Sequence, residues 1–123
     1  MQFIGIDLGS TNTKAAIYDE TFNCLASESE PVLYERSESI VEFDADLYYK
    51  SLAAALKRLA ERPEVKVDEV QRITLTGQAE TLIVLDKEGK PLMNAISWMD
   101  ERSRSECEEL AEQFTAEECE LVT

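Results

Sequence analysis

"GIDLGSTNTKAAIYD", Gly5 to Asp19, joins two alternating, β-prone runs through a polar segment, Gly9 to Asn12. Residues Gln2 to Leu8 and Thr13 to Tyr18 carry the period-two pattern of half-buried strands, so the stretch predicts a β-hairpin. Its turn is rich in polar donors. Asp7 falls at the end of the first strand, where a carboxylate can hold a hydrated Mg²⁺. Gly9 lets the backbone approach an anion closely. Ser10, Thr11, Asn12 and Thr13 offer hydroxyl, amide and main-chain N–H groups, and Lys14 adds a positive charge at the start of the second strand. Two readings stand side by side here: an ordinary hairpin with a polar turn, and a cradle for the phosphates of MgATP. A P-loop is excluded, because Lys14 follows a threonine and leads into a strand. A dinucleotide fingerprint is excluded too, since it would open a helix.

Outward from the hairpin, Asn23 to Val32 reads as a third strand and "ERSESIVEF", Glu35 to Phe43, as a polar loop. Asp44 has the position of a helix N-cap. Leu47, Tyr48, Leu52, Ala55, Leu56 and Leu59 then recur at helical spacing up to a stop at Pro63. "RITLT", Arg72 to Thr76, predicts a short buried strand ending at Gly77. Thr81 to Asp86 and Leu92 to Trp98 predict two more strands around a turn at Gly89. After Asp100 a helical face of Cys107, Leu110, Ala111 and Phe114 is expected, with Cys107 and the leucines after it in the core. The sum is an α/β domain with a mixed sheet flanked by helices. A further capped helical turn is expected at Thr115, and because nothing closes it, the chain reads as a piece of a longer one.

Composition narrows the function. At 123 residues and 44% hydrophobic content the chain is long enough to bury a core. Twelve basic against 26 acidic residues, a net charge of −14, leave no cationic stripe for nucleic acid. A nucleotide would therefore bind through local donors and a metal ion, against the overall field. Cys24, Cys107 and Cys119 have no paired spacing and the chain has no histidine, which argues against structural zinc. With no signal peptide and no long apolar run, the expected setting is a reduced cytoplasm and no membrane.

The opening stretch resembles the first phosphate motif of the actin, Hsp70 and sugar kinase superfamily, in which a ββ-turn binds ATP phosphates. A second block, "TGQAETLIVLDKEGKPLMNAISWMDERSRSECEEL" (Thr76 to Leu110), resembles the N-terminal domain of FGGY carbohydrate kinases, a branch that includes xylulokinases and glycerol kinases. "EFDADLYY", Glu42 to Tyr49, is similar to that family's acidic-aromatic lead into its first long helix. The resemblance implies a ribonuclease H-like, actin-like ATPase fold, present here in part. It also implies a kinase that uses ATP and Mg²⁺ to phosphorylate a hydroxyl of a sugar or polyol such as xylulose, gluconate or glycerol. By the same resemblance, Asp7 would act through the magnesium shell and Gly9, Ser10, Thr11, Asn12, Thr13 and Lys14 would hold the phosphates. Gln78, Ala79, Glu80, Trp98 and Asp100 would face the acceptor, with Arg102 pairing an acid or orienting Asp100.

The match has departures. Xylulokinase-like proteins carry Met-His after the glutamine and glycerol kinases carry Arg-Glu; here Ala79-Glu80 follows Gln78, so the acceptor is not legible. The family's catalytic aspartate is expected beyond residue 123, as are the second phosphate motif, the adenosine motif and the second domain. The chain alone is thus expected to lack a catalytic residue and turnover, and to self-associate, a homodimer being one such form, through apolar surface meant to be covered. Two rivals remain on sequence grounds: the ATPase activator of a radical dehydratase, which would need an iron–sulfur cluster on cysteines, and a non-catalytic actin-like nucleotide-binding module.

Overall fold

The computed structural model describes residues 1–114 and residue 118. The expected turn at Thr115, and Cys119, lie outside those residues. The predicted hairpin forms as read: β1 (Gln2–Leu8) and β2 (Asn12–Asp19) pair antiparallel, with Leu8 opposite Thr13 and Asp7 opposite Lys14. β3 (Cys24–Pro31) adds antiparallel to β2. Two further strands follow, β4 (Glu35–Ser37) and β5 (Ile40–Phe43), and then α1 (Ala45–Ala60). β6 (Val70–Gly77) returns parallel to β1, giving a four-stranded mixed sheet in the order β3-β2-β1-β6. A short 3-10 turn (Val67–Glu69) leads into β6, and β7 (Ala95–Ile96) and α2 (Arg104–Ala111) complete the described elements.

The α1 start follows from its cap. Asp44 has extended backbone and its Oδ1 accepts the Leu47 N–H at 3.0 Å, satisfying one of the free donors of the first turn. Leu52, Ala55 and Leu59 are the face that α1 buries, against Ile6, Ala15 and Ile17 of the sheet. Leu47, read as part of that face, is half exposed. Polar clamps reinforce the packing: Arg58 and Arg62 both donate to the Glu28 carboxylate on β3, which holds that acid below its usual pKa.

Several expectations need correction. The stretch read as a loop, Glu35–Phe43, is a β-hairpin, β4 against β5, turning at Glu38 with a left-handed φ of 49°. Val41 and Phe43 alternate into the interior, and that short alternation carries the strand signal beneath the polar composition. The two strands expected around Gly89 shrink to Ala95–Ile96, which pairs with β5. Gly89 does make the turn, at φ 80°. However, cross-hairpin bonds join Leu82 to Ile96 and Val84 to Leu92, so two residues on one side span four on the other and the ladder breaks. "RITLT" forms a strand, but not a buried one: Ile73 and Leu75 are 56% and 61% exposed, because α1 packs across β2 and β3 and leaves β6 uncovered on that face. Cys107 and Leu110 are exposed on α2 and form no part of the core.

Candidate functional site

The hairpin turn sits at the end of β1 beside the end of β6, since Leu8 pairs with Thr13 on one side and with Gly77 on the other. Two glycines let the backbones come this close. A Cβ at Gly9 would lie 2.8 Å from the Asn12 carbonyl and 3.5 Å from both Asp7 carboxylate oxygens. A Cβ at Gly77 would lie 2.9 Å from the Leu8 Cβ. Beyond Gly77 the Gln78 N–H donates to the Leu8 carbonyl at 2.9 Å, so the segment after β6 leaves the sheet next to the turn.

Two carbonyls of the turn are tied back into the fold. Its Gly9 carbonyl accepts from the Tyr48 hydroxyl at 3.0 Å, and its Thr11 carbonyl accepts from the Val32 N–H at 2.9 Å. Two negative ends of peptide dipoles are thereby tied back into the fold. In a planar trans peptide the N–H lies opposite the C=O, so the Ser10 N–H is held pointing away from Tyr48. Asp7, Gly9, Ser10, Thr11, Asn12 and Lys14 line one open concavity, and within the described residues neither Asp7 nor Lys14 forms an ion pair. Thr13 is the exception among the six residues expected to hold phosphates. Strand alternation turns its side chain to the α1 face with Ala15 and Ile17, where it is 0% exposed and its Oγ1 has no hydrogen-bond partner.

A second, adjoining concavity contains the other block. It is lined by Asp7, Gly9 and Ser10 from the hairpin and by Gly77, Gln78, Ala79, Glu80 and Trp98 from downstream. Trp98, expected by resemblance to face the acceptor, is 52% exposed here. Glu80 holds a left-handed φ of 63°, a strained conformation for a residue with a side chain. Asp100 does not join this wall. Its buried carboxylate is filled by four bonds: Oδ2 accepts from the Val41 N–H at 2.7 Å and from Arg102, and Oδ1 accepts from the Arg102 N–H and Nε. The Arg102 guanidinium holds this acid well below the ordinary carboxylate range. Arg102 also donates to Glu42 at 2.6 Å, so Asp100 and Arg102 pin the Trp98 segment to β5.

Tyr48 is the residue that sequence reasoning assigned only to packing. It lies in the first turn of α1, its ring against Phe43 at 4.9 Å, and its hydroxyl meets both Gly9 and Gln78. Burial pushes its pKa up, so the hydroxyl keeps its proton for donation. The available signal was in "EFDADLYY", where a residue with a hydroxyl stands four residues after the cap, on a helical face otherwise made of aliphatic side chains.

Among the described residues no cluster of three ligating side chains forms a metal site. A divalent ion would fit differently: Asp7 supplies one hard oxygen at the mouth of the turn, leaving the remaining positions to water and phosphate, as Mg²⁺ prefers. Among these residues no helix is long and apolar enough to cross a membrane. Cys24 and Cys107 are free and lie on the surface.

Residues 2–123 match the model of the FGGY family of carbohydrate kinases, N-terminal domain. The chain is 33% identical over 112 residues to a glycerol kinase of Natranaerobius thermophilus, covering 89% of this chain and 22% of that protein. A glycerol kinase of Cereibacter sphaeroides is 36% identical over the same length, again with 89% and 22% coverage. Among solved structures, a xylulose kinase from Brucella ovis superposes with TM-score 0.84 at 27% identity, covering 92% of this chain and 24% of that one. Plasmodium falciparum glycerol kinase with ADP gives TM-score 0.80 at 25% identity, with 93% and 23% coverage. The chain thus spans about a quarter or less of the relatives it matches. With a family match over residues 2–123 and relatives above 30% identity along most of its length, the chain belongs to the FGGY family of carbohydrate kinases.

Proposed function

We propose that this chain forms one wall of an ATP-dependent carbohydrate kinase, acting in the cytoplasm, that transfers the γ-phosphate to a hydroxyl of a sugar or polyol. The observation that carries the reading is the meeting of the two blocks. Asp7, Gly9 and Ser10 line both the concavity of the hairpin turn and the one that holds Gln78, Ala79, Glu80 and Trp98. A nucleotide phosphate on the first and an acceptor hydroxyl on the second would be neighbours, which phosphoryl transfer requires.

In this reading the Ser10 N–H, the Ser10 and Thr11 hydroxyls, Asn12 and Lys14 bind phosphate oxygens. Thr13 contributes only its backbone. Asp7 holds Mg²⁺ through water, and that ion when bound offsets the negative charge of the phosphate chain. Gln78 and Glu80 hydrogen-bond acceptor hydroxyls, and the exposed face of Trp98 packs on the acceptor's C–H surface. Asp100 and Arg102 position Trp98 rather than touch the acceptor. The acceptor hydroxyl forms a bond to the γ-phosphorus as the bond to the bridging oxygen of ADP breaks. The group that takes the hydroxyl proton lies outside residues 1–123, as do the adenosine contacts. The kinship with glycerol kinases and the fold shared with a xylulose kinase point to polyols and ketoses as acceptors. That kinship also favours this reading over a dehydratase activator or a non-catalytic module.

The test is ADP formation by the whole protein containing this chain, with ATP, Mg²⁺ and a panel of glycerol, pentuloses, hexoses and sugar acids. Turnover with one class is expected, and Asp7→Ala should abolish it. No turnover with any acceptor would overturn the proposal. Residues 1–123 alone should form no ADP in response to any acceptor.

A further inference from the structure

One continuous hydrogen-bond chain runs from the acceptor-side segment to the phosphate-side turn. The Trp98 N–H donates to Thr81 Oγ1 at 3.2 Å. The Thr81 hydroxyl donates to Gln78 Oε1 at 2.8 Å. Gln78 Nε2 donates to the Tyr48 hydroxyl at 3.4 Å, and that hydroxyl donates to the Gly9 carbonyl at 3.0 Å. Every link donates in the same direction, so each bond polarises the next.

We propose that Tyr48 is a positioning residue that sets the phosphate turn according to the state of the acceptor-side segment, through Gln78. The inference deepens the kinase reading and rests on it. Tyr48 has one proton to give. While Gln78 presents its amide N–H, that proton is committed to the Gly9 carbonyl, which fixes the Gly9–Ser10 peptide plane. The Ser10 N–H then faces away from Tyr48 and is available to a phosphate oxygen. If Gln78 instead presents an acceptor to Tyr48, the proton has two claimants and Gly9 loses its anchor. Thr81 decides which end Gln78 presents. Its hydroxyl donates to Oε1, and its oxygen is itself held by the Trp98 backbone, so the amide orientation is set from the acceptor side.

The arrangement is more than packing, because the packing can be removed from the question. Tyr48→Phe keeps the ring against Phe43 and loses only the hydroxyl. Gln78→Glu is nearly isosteric and replaces the N–H donor with a carboxylate oxygen, which would draw the Tyr48 proton from Gly9. Positioning through one shared proton predicts that the two substitutions act as one. Added negative charge near the phosphates predicts that they act independently.

The experiment measures the Kd of MgADP by calorimetry for the whole protein, its two single variants and the double variant. Tyr48→Phe should weaken MgADP about tenfold, consistent with loss of one hydrogen bond that orients a phosphate donor. Gln78→Glu should weaken it by a similar factor, and the double variant should be no weaker than Tyr48→Phe alone. Thr81→Val, which leaves both Tyr48 and Gln78 in place, should give a smaller loss of about threefold as the amide becomes free to turn. Wild-type affinity in Tyr48→Phe, or losses that multiply in the double variant, would overturn the coupling while leaving the kinase reading intact. Failure of the wild-type protein to bind MgADP would overturn that reading and the coupling with it. Should Tyr48→Phe not fold, Thr81→Val still decides: unchanged MgADP affinity there contradicts the proposal.

Discussion

β2 and β6 flank β1 on opposite sides, are equally long, and both mix apolar residues with hydroxyl, amide and charged ones, yet they live in different environments. On β2, Thr13, Ala15 and Ile17 are completely buried. On β6, Ile73 and Leu75 project from the same face of the sheet, opposite Ile4 and Ile6, and remain mostly exposed. The sequence of each strand is compatible with either fate. What differs is cover: α1 packs across β2 and β3, and no described helix packs across β6. The comparison bears on the candidate site because the Gly9–Asn12 turn hangs from the covered side and Gln78 from the uncovered one. The first is held by a packed core, the second by hydrogen bonds to Leu8, Tyr48 and Thr81.

The sharpest way to break this contrast is to remove buried methyl groups. Ile17→Ala should destabilise the chain by about 3 kcal/mol in urea unfolding, since the site is sealed by α1 and cannot collapse cheaply. Next in size is Gly9→Ala. The added Cβ collides with the Asn12 carbonyl, so the turn must shift, and MgADP affinity of the whole protein should fall by at least about tenfold, with a small change in stability. Calorimetry and a thermal melt on the same variant separate the two effects.

The tether on the uncovered side gives a pH-dependent prediction. Asp100 is held below its unfolded pKa by Arg102 and the Val41 N–H, so its contribution is fully present above about pH 4 and fades as pH falls through the folded value. Wild type should therefore exceed Asp100→Asn in urea midpoint at pH 7, and the gap should narrow steadily below pH 4. A gap that stays constant down to pH 2 would show that the carboxylate charge plays no part. The smallest expected effect is Leu75→Ala, at most about 0.5 kcal/mol, because a side chain left in water loses little when shortened. If it costs as much as Ile17→Ala, β6 is covered in solution by a second copy or another segment. Sedimentation of the purified chain then distinguishes the two.

Much of the local structure around the candidate site was legible in the sequence. The hairpin, its glycine and its flanking acid and lysine follow from alternation interrupted by a polar turn. The α1 boundaries follow from Asp44 and Pro63, because capping and the missing proline N–H are local effects. The β4–β5 hairpin was hidden because its alternation covers only a few residues and its outward positions are strongly polar. Thr13 was misjudged for the opposite reason: its chemistry suited a phosphate, but a strand's period of two had already assigned its side chain to the core. Asp100 was likewise a plausible ligand by type, and only its contact with a backbone N–H 59 residues away revealed a structural role.

The sequence by itself determined the local devices: the polar hairpin turn, the capped helix and the glycine turn at Gly89. Each depends on backbone preferences and on neighbours within a few residues. The tertiary structure alone decided which strand is buried, which acid is consumed in a tether, and that Tyr48 touches both halves of the site. Those outcomes depend on which distant surfaces meet. A carboxylate or hydroxyl has the same intrinsic chemistry in either place, and only its partners determine what it can do.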